Sequence, residues 1–299
     1  MKNRMKRLFV SVVSAMLLVS PCLVRGQGAA QGGSASGGTP SRFAKARAAV
    51  EEEKALSKAF DEMEKIKAKE AAKQAEAARL LAELKKLEAK EQAFLDKVKA
   101  GDAKRFDFGE GVVLDLVKVG HGENAFFMGC FEVTQKQYQL VTGKRPSSYR
   151  EADWAKHPVG NVSWQEANEF CQVMTKAFEE ERGDYVFTLP TEQQWEQAAT
   201  AGEDSEFAGG DKLDEVGWYR GNSNGHTHPV GMKKPNALGI YDMSGNAWEW
   251  CLDSFDKYRV IRGGSYRNDY TRCRARFSSG LDPESGDGFR VALCRQTVQ

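Results

Sequence analysis

The chain has 299 residues, with 43 Lys or Arg against 42 Asp or Glu and a formal net charge of +1. That balance, with the charges interleaved rather than blocked, gives no overall field that would recruit nucleic acid. The first third differs in composition from the rest and cannot bury a core, so one globular domain of about 190 residues is expected.

Lys2, Arg4, Lys6 and Arg7 precede an apolar run from Leu8 to Val19 that is too short to span a bilayer and ends near Pro21. The pattern predicts a leader over residues 1–26, cleaved near Gly26, and an exported chain, periplasmic or held at the cell envelope. Cys22 opens the alternative of a lipid anchor, although Pro21 fits a lipidation site poorly. Residues 27–40 are mostly Gly, Ser, Ala and Gln with nothing to bury, which reads as a flexible linker.

Residues 41–100 turn to Ala, Glu, Lys and Leu without Gly or Pro, and predict one long helix ended by Gly101 and Asp102. Leu56, Ala59, Met63, Ile66, Ala77, Leu80, Leu84, Leu87, Phe94 and Val98 fall on alternating steps of three and four. Glu70, Lys73 and Glu91 interrupt the same register. This is the seam of a coiled-coil stalk that self-associates; a solvated single helix, or one packed on its own domain, is the alternative.

The globular part spans residues 105–299. Alternating apolar residues predict strands at Val112–Val119 and Ala125–Phe131. Thr134 caps a short helix that Gly143 stops. Ser163 with Glu166, and Thr191 with Gln194, form capping boxes for two further helices; the first turns Trp164, Ala167, Phe170, Cys171, Met174 and Phe178 to one face. Residues 201–235 are rich in Gly, Asn and Asp and read as surface loops, and strand patterns return at Ala247–Leu252, Tyr258–Arg262 and Phe289–Leu293.

In Tyr241–Trp250, YDMSGNAWEW, Asp242 and Glu249 bracket a Ser244-Gly245-Asn246 turn, so carboxylates and carbonyls can converge as a hard-oxygen site suited to Ca²⁺. Taken with Arg262-Gly263-Gly264-Ser265, Gly288-Phe289-Arg290, LPTEQQWEQAA from Leu189 and PVGNVSWQEANEFC from Pro158, it resembles the sulfatase-modifying factor, or formylglycine-generating enzyme, family. The resemblance covers roughly the last two-thirds of the chain and implies an α+β, C-type lectin-like domain whose first and last strands pair. It implies a Ca²⁺ held by Asp242, the Gly245 and Ala247 carbonyls and Glu249; a hydrogen-bonded turn is the plainer alternative.

Active members of the family oxidise a substrate cysteine to formylglycine with O₂ and copper between two thiolates. The positions matching those cysteines hold Asn268 and Cys273, and an amide cannot replace a soft thiolate on Cu(I). Cys273 also aligns with a structural cysteine of the family if a few residues are deleted. Ser265 and Trp248 match residues near the family's active site, with a turn serine and a core tryptophan as their ordinary roles. Five cysteines follow the leader, and the candidate pairs are Cys171 with Cys294 and Cys251 with Cys273, leaving Cys130 odd. His121, His157, His226 and His228 make no metal set by spacing and are expected in surface loops.

Two functions remain open: a non-catalytic lectin-like module on a stalk, binding a protein, peptide or glycan, and a formylglycine-generating oxidase. Asn268 favours the first.

Overall fold

A computed structural model describes residues 41–149 and 151–296. The expected leader, the linker and Cys22 lie outside the described residues. The chain divides into two units, Met1–Glu91 and Gln92–Gln299.

The first unit is carried by α1 (Arg42–Ala100), an unbroken helix with no buried residue. Leu56, Phe60, Ile66 and Leu87 are each more than half exposed, and exposed i,i+3 and i,i+4 pairs such as Lys54–Glu51 and Arg79–Glu83 line its surface. From Gln92 onward the helix belongs to the second unit, where Phe94 and Val98 pack against the core. Gly101 at φ +78° ends it, and Asp102 N–H donates to the Lys97 carbonyl at 2.9 Å.

The second unit holds two antiparallel sheets. The larger combines β1 (Ala103–Asp107), β2 (Val113–Val119), β3 (Phe126–Gly129), β4 (Tyr185–Thr188) and β8 (Ala292–Arg295) in the order β1-β2-β3-β8-β4. The smaller is a meander of β5 (Glu249–Phe255), β6 (Tyr258–Arg262) and β7 (Ser278–Leu281). Their helices are α2 (Gln135–Thr142), α3 (Trp164–Ala177), α4 (Glu179–Arg182), α5 (Glu192–Thr200) and α6 (Leu213–Val216). The resemblance implies that the first and last strands pair, but the last strand lies between β3 and β4 and does not pair with β1.

The strand period of two explains how one sheet serves two cores. Leu114, Leu116, Phe127, Phe187 and Leu293 face the cluster filled by Phe170, Cys171 and Met174 of α3. Val117, Val119, Met128, Ala292 and Cys294 face the other way, against Trp195, Ala198 and Ala199 of α5. A third cluster joins Phe207, Leu213, Val216 and Cys273.

This alternation also decides the cysteines. Cys130, Cys171, Cys251, Cys273 and Cys294 are all free thiols, so neither expected pairing is present. Cys171 and Cys294 stand on opposite faces of the larger sheet, while Cys251 and Cys273 belong to different clusters. Burial pushes the thiol pKa values upward throughout, to about 12 for Cys130 and Cys273.

The helix starts match the sequence reading closely. Thr134, Ser163 and Thr191 each accept from the backbone of the third residue on, and Gln137, Glu166 and Gln194 return the bond to the cap N–H.

Candidate functional site: a buried acidic turn at the loop base

The turn from Asp242 to Glu249 is locked by backbone conformation and close approach. Asp242 and Asn246 occupy the left-handed region at φ +57° and +62°, which Asx residues tolerate better than most. Gly245 is required sterically, because a Cβ there would stand 2.1 Å from the Trp218 carbonyl oxygen. Gly217 answers it from the facing loop, where a Cβ would meet the Ser244 carbonyl oxygen at 1.8 Å. Asn246 N–H donates to Trp218 O at 2.7 Å, and the Asn246 side chain bonds both the N–H and the C=O of His228.

Three carboxylates meet beneath this turn. Glu249 is fully buried and accepts from Arg290 Nε at 2.6 Å, Arg290 Nη2 at 2.7 Å and Trp195 Nε1 at 2.6 Å. Glu132 accepts from Ala247 N–H at 3.0 Å and Asn246 Nδ2 at 2.8 Å. Asp242 takes the Gly231 N–H on Oδ2 at 2.6 Å, while its buried Oδ1 has no hydrogen-bond partner among the described residues. Arg290 is the cation that the three share, so two negative charges remain uncompensated if all ionise. Burial, followed by repulsion from Asp242 and Glu249, pushes the Glu132 pKa well up. Burial raises that of Asp242 to about 6, against the pull of Arg290 and the Gly231 N–H.

An orphaned carboxylate oxygen in an electron-rich pocket suits a hard dication. Asp242 Oδ1 is such an atom, and the Gly245 and Ala247 carbonyls accept no hydrogen bond from the described residues. Glu249, by contrast, has both carboxylate oxygens engaged by Arg290 and Trp195. Among the described residues no group of three or more His, Cys, Asp or Glu side chains is placed to hold a metal ion, so a cation here would depend on carbonyls as much as carboxylates.

The copper positions are arranged differently. Asn268 Oδ1 accepts from Ser265 Oγ at 2.7 Å. Cys273 is wholly buried beside Phe207, Leu213 and Val216, and its S–H points to Asp269 O at 3.6 Å. A protonated thiol with no second cysteine in its cluster does not fit a two-thiolate copper site. Ser265 caps a tight turn, and Trp248 is half-buried with its ring 6.2 Å from Phe277. The structure therefore keeps Asn268, Ser265 and Cys273 near one another in chain and space but gives them structural partners.

Three of the four histidines are not scattered over the surface. His157 is buried and stacks on Tyr149 at 3.9 Å, His228 stacks on Trp218 at 3.7 Å, and His226 lies 4.8 Å from His228 and 5.7 Å from Tyr149. His121 is exposed. Glu132 escaped the sequence reading altogether; its signal was an acid between Phe131 and Val133 in an otherwise apolar stretch. Arg290 stands in the Gly288-Phe289-Arg290 motif, which does not announce its ion pair with Glu249.

The mixed α+β domain belongs to a recognisable class. Residues 117–294 match the sulfatase-modifying factor enzyme 1-like domain, and the chain belongs to that family. Chaperone protein LppX of Paenibacillus barcinonensis is 28% identical, with 54% of this chain and 78% of that protein aligned. The formylglycine-generating enzyme of Streptomyces coelicolor is 33% identical, with 46% of this chain aligned to 52%, about half, of the enzyme's length. Among solved structures, Treponema denticola variable protein 1 superposes with a TM-score of 0.57 at 28% identity, covering 65% of this chain and 99% of its own.

Proposed function

We propose that this protein is an exported, non-catalytic binding module: a C-type lectin-like domain over residues 105–299, displayed on a self-associating helical stalk over residues 41–100. The observation that carries this reading is the donor set at the family's copper positions, where Asn268 is held by Ser265 and Cys273 is a sealed, protonated thiol. The ligand is a protein, peptide or glycan met by the loops above the acidic turn. A Ca²⁺ on Asp242, Gly245, Ala247 and Glu249 holds those loops in place. The leader supports a periplasmic or envelope location, with Cys22 as the alternative lipid attachment point. No helix among the described residues is long and apolar enough to cross a membrane.

The oxidase reading is the alternative, favoured by the 33% identity to the Streptomyces coelicolor enzyme. Incubating the copper-loaded protein with a cysteine-containing sulfatase peptide and O₂ separates the two. No aldehyde product is expected; turnover that Cys273→Ser abolishes would establish the oxidase instead.

A further inference from the structure

A sheet edge is a row of unpaired N–H and C=O groups, and proteins usually cover or charge it. Three of the four edges here are managed. On β4, Phe187 N–H donates to Thr175 Oγ1 at 2.9 Å and Arg182 Nη1 donates to Tyr185 O at 2.5 Å. On β5, Trp250 N–H and Leu252 N–H donate to Gly288 O and Pro190 O, and Trp164 Nε1 donates to Cys251 O. On β1, Lys104, Arg105 and Asp107 place three charges in five residues.

The fourth edge, β7, has none of these protections. Its sequence is Ser-Ser-Gly-Leu, alternately exposed and half-buried. Beyond its ladder to β6, none of its backbone groups bonds to the described residues. Two serines and a glycine leave the backbone open to close approach.

The surroundings specify a charge. Between Asp256 and Glu284 the chain carries seven Lys or Arg and four acids, Asp256, Asp269, Asp282 and Glu284, an excess of three positive charges in a protein whose net charge is +1. Arg262 is buried on Glu192 and Glu196, and Arg274 and Arg276 pair with Glu206 and Asp204. Arg272 is exposed and makes no ion pair among the described residues; its guanidinium lies 5.9 Å from the ring of Phe277, which leads directly into β7. An aromatic ring with an uncommitted guanidinium at the head of an open strand suits a chain that pairs by its backbone and carries carboxylates.

We propose that the β7 edge receives an extended acidic peptide as a fourth strand of the smaller sheet, backbone-paired along Ser278–Leu281, with Arg272 engaging a carboxylate. The inference deepens the binding-module reading by naming its partner class, and it can fail without reviving the oxidase, whose assay is independent.

The test uses the full chain and a fluorescein-labelled octapeptide of alternating Thr and Glu, followed by anisotropy and hydrogen–deuterium exchange. Binding is expected with slowed amide exchange confined to residues 278–281. A Pro-interrupted peptide of equal charge and an alternating Thr-Lys peptide should each bind at least about tenfold more weakly. Arg272→Glu should weaken binding by about tenfold, and Gly280→Pro should abolish it; if the proline variant misfolds, Arg272→Glu and the exchange pattern still decide. Equal binding of the Pro-interrupted peptide or of single-stranded DNA of the same charge would reduce the site to a nonspecific anion surface and overturn the proposal. Absence of binding, or protection elsewhere than β7, would also overturn it.

Discussion

Arg290 and Glu249 meet through two parallel contacts, Nε to Oε2 at 2.6 Å and Nη2 to Oε1 at 2.7 Å, and neither side chain has any solvent exposure. The pair links the strand that opens the smaller sheet to the segment that enters β8. Arg290 also donates to Gly129 O and Tyr241 O at 2.9 Å, so one guanidinium ties four segments. Arg290→Met would leave three buried carboxylates without the cation they share and is expected to cost roughly 3–5 kcal/mol. Chemical denaturation measures this, and adding Glu249→Gln to the variant should recover part of the loss.

Ca²⁺ is expected to raise the unfolding temperature. A ligand that binds only the folded state contributes about 2.7 kcal/mol at a hundredfold excess over its dissociation constant. Scans in millimolar Ca²⁺ and in a chelator should differ, and Asp242→Asn should shrink the difference. Coincident scans for the parent protein would remove the cation from the account.

The stalk is expected to associate through its exposed apolar seam. Leu80 and Leu87 are 53% and 60% exposed, and charging both as Leu80→Lys with Leu87→Lys should lower the oligomer mass in analytical ultracentrifugation while leaving the circular dichroism of the domain unchanged. Phe94 and Val98 are unsuitable for this purpose because they pack on the core.

Acid should loosen the stacked rings around His157 and His228. Burial, the largest influence, lowers the pKa values of His157 and His228, against the opposing pull on His157 of Asp153, whose Oδ2 lies 3.4 Å from His157 Nε2, and that of the Ser223 carbonyl on His228. Unfolded histidine takes its proton near pH 6.5, so the unfolded state binds more protons as pH falls below that value, and the stability from the neutral rings is lost. Asp287 and Asp242, raised to about 7 and about 6, carry the opposite slope. The histidine contribution is therefore read as a difference: melting temperatures at pH 7.5 and 5.5 should diverge less for His157→Gln with His228→Gln than for the parent.

Local codes made much of the domain legible from sequence. Thr134, Ser163 and Thr191 announce their helices through reciprocal bonds within four residues, and Tyr258–Arg262 alternates as a strand should. Three strands escaped notice: β1, β4 and β7. Ser278–Leu281 contains one large apolar residue, and Tyr185–Thr188 is too short to establish a period; both are strands because a neighbour pairs with them. The site divides in the same way. Asp242 and Glu249 were visible as acids flanking a turn, but Glu132 approaches from more than a hundred residues away to bond Asn246, and no local pattern encodes that meeting. The cysteine pairings failed for a related reason, because spacing does not reveal which face of a sheet a thiol occupies.

The reciprocal glycines, Gly217 against the Ser244 carbonyl and Gly245 against that of Trp218, act as a rivet between two loops. Each backbone occupies the space where the other's side chain would stand, so neither position can accept Ala without prising the loops apart. Exposed neighbours such as Arg220 and Arg267 carry no such restriction. Variation can therefore accumulate at exposed positions around the rivet while the scaffold beneath it holds its shape, which separates the inheritance of the fold from change on its surface.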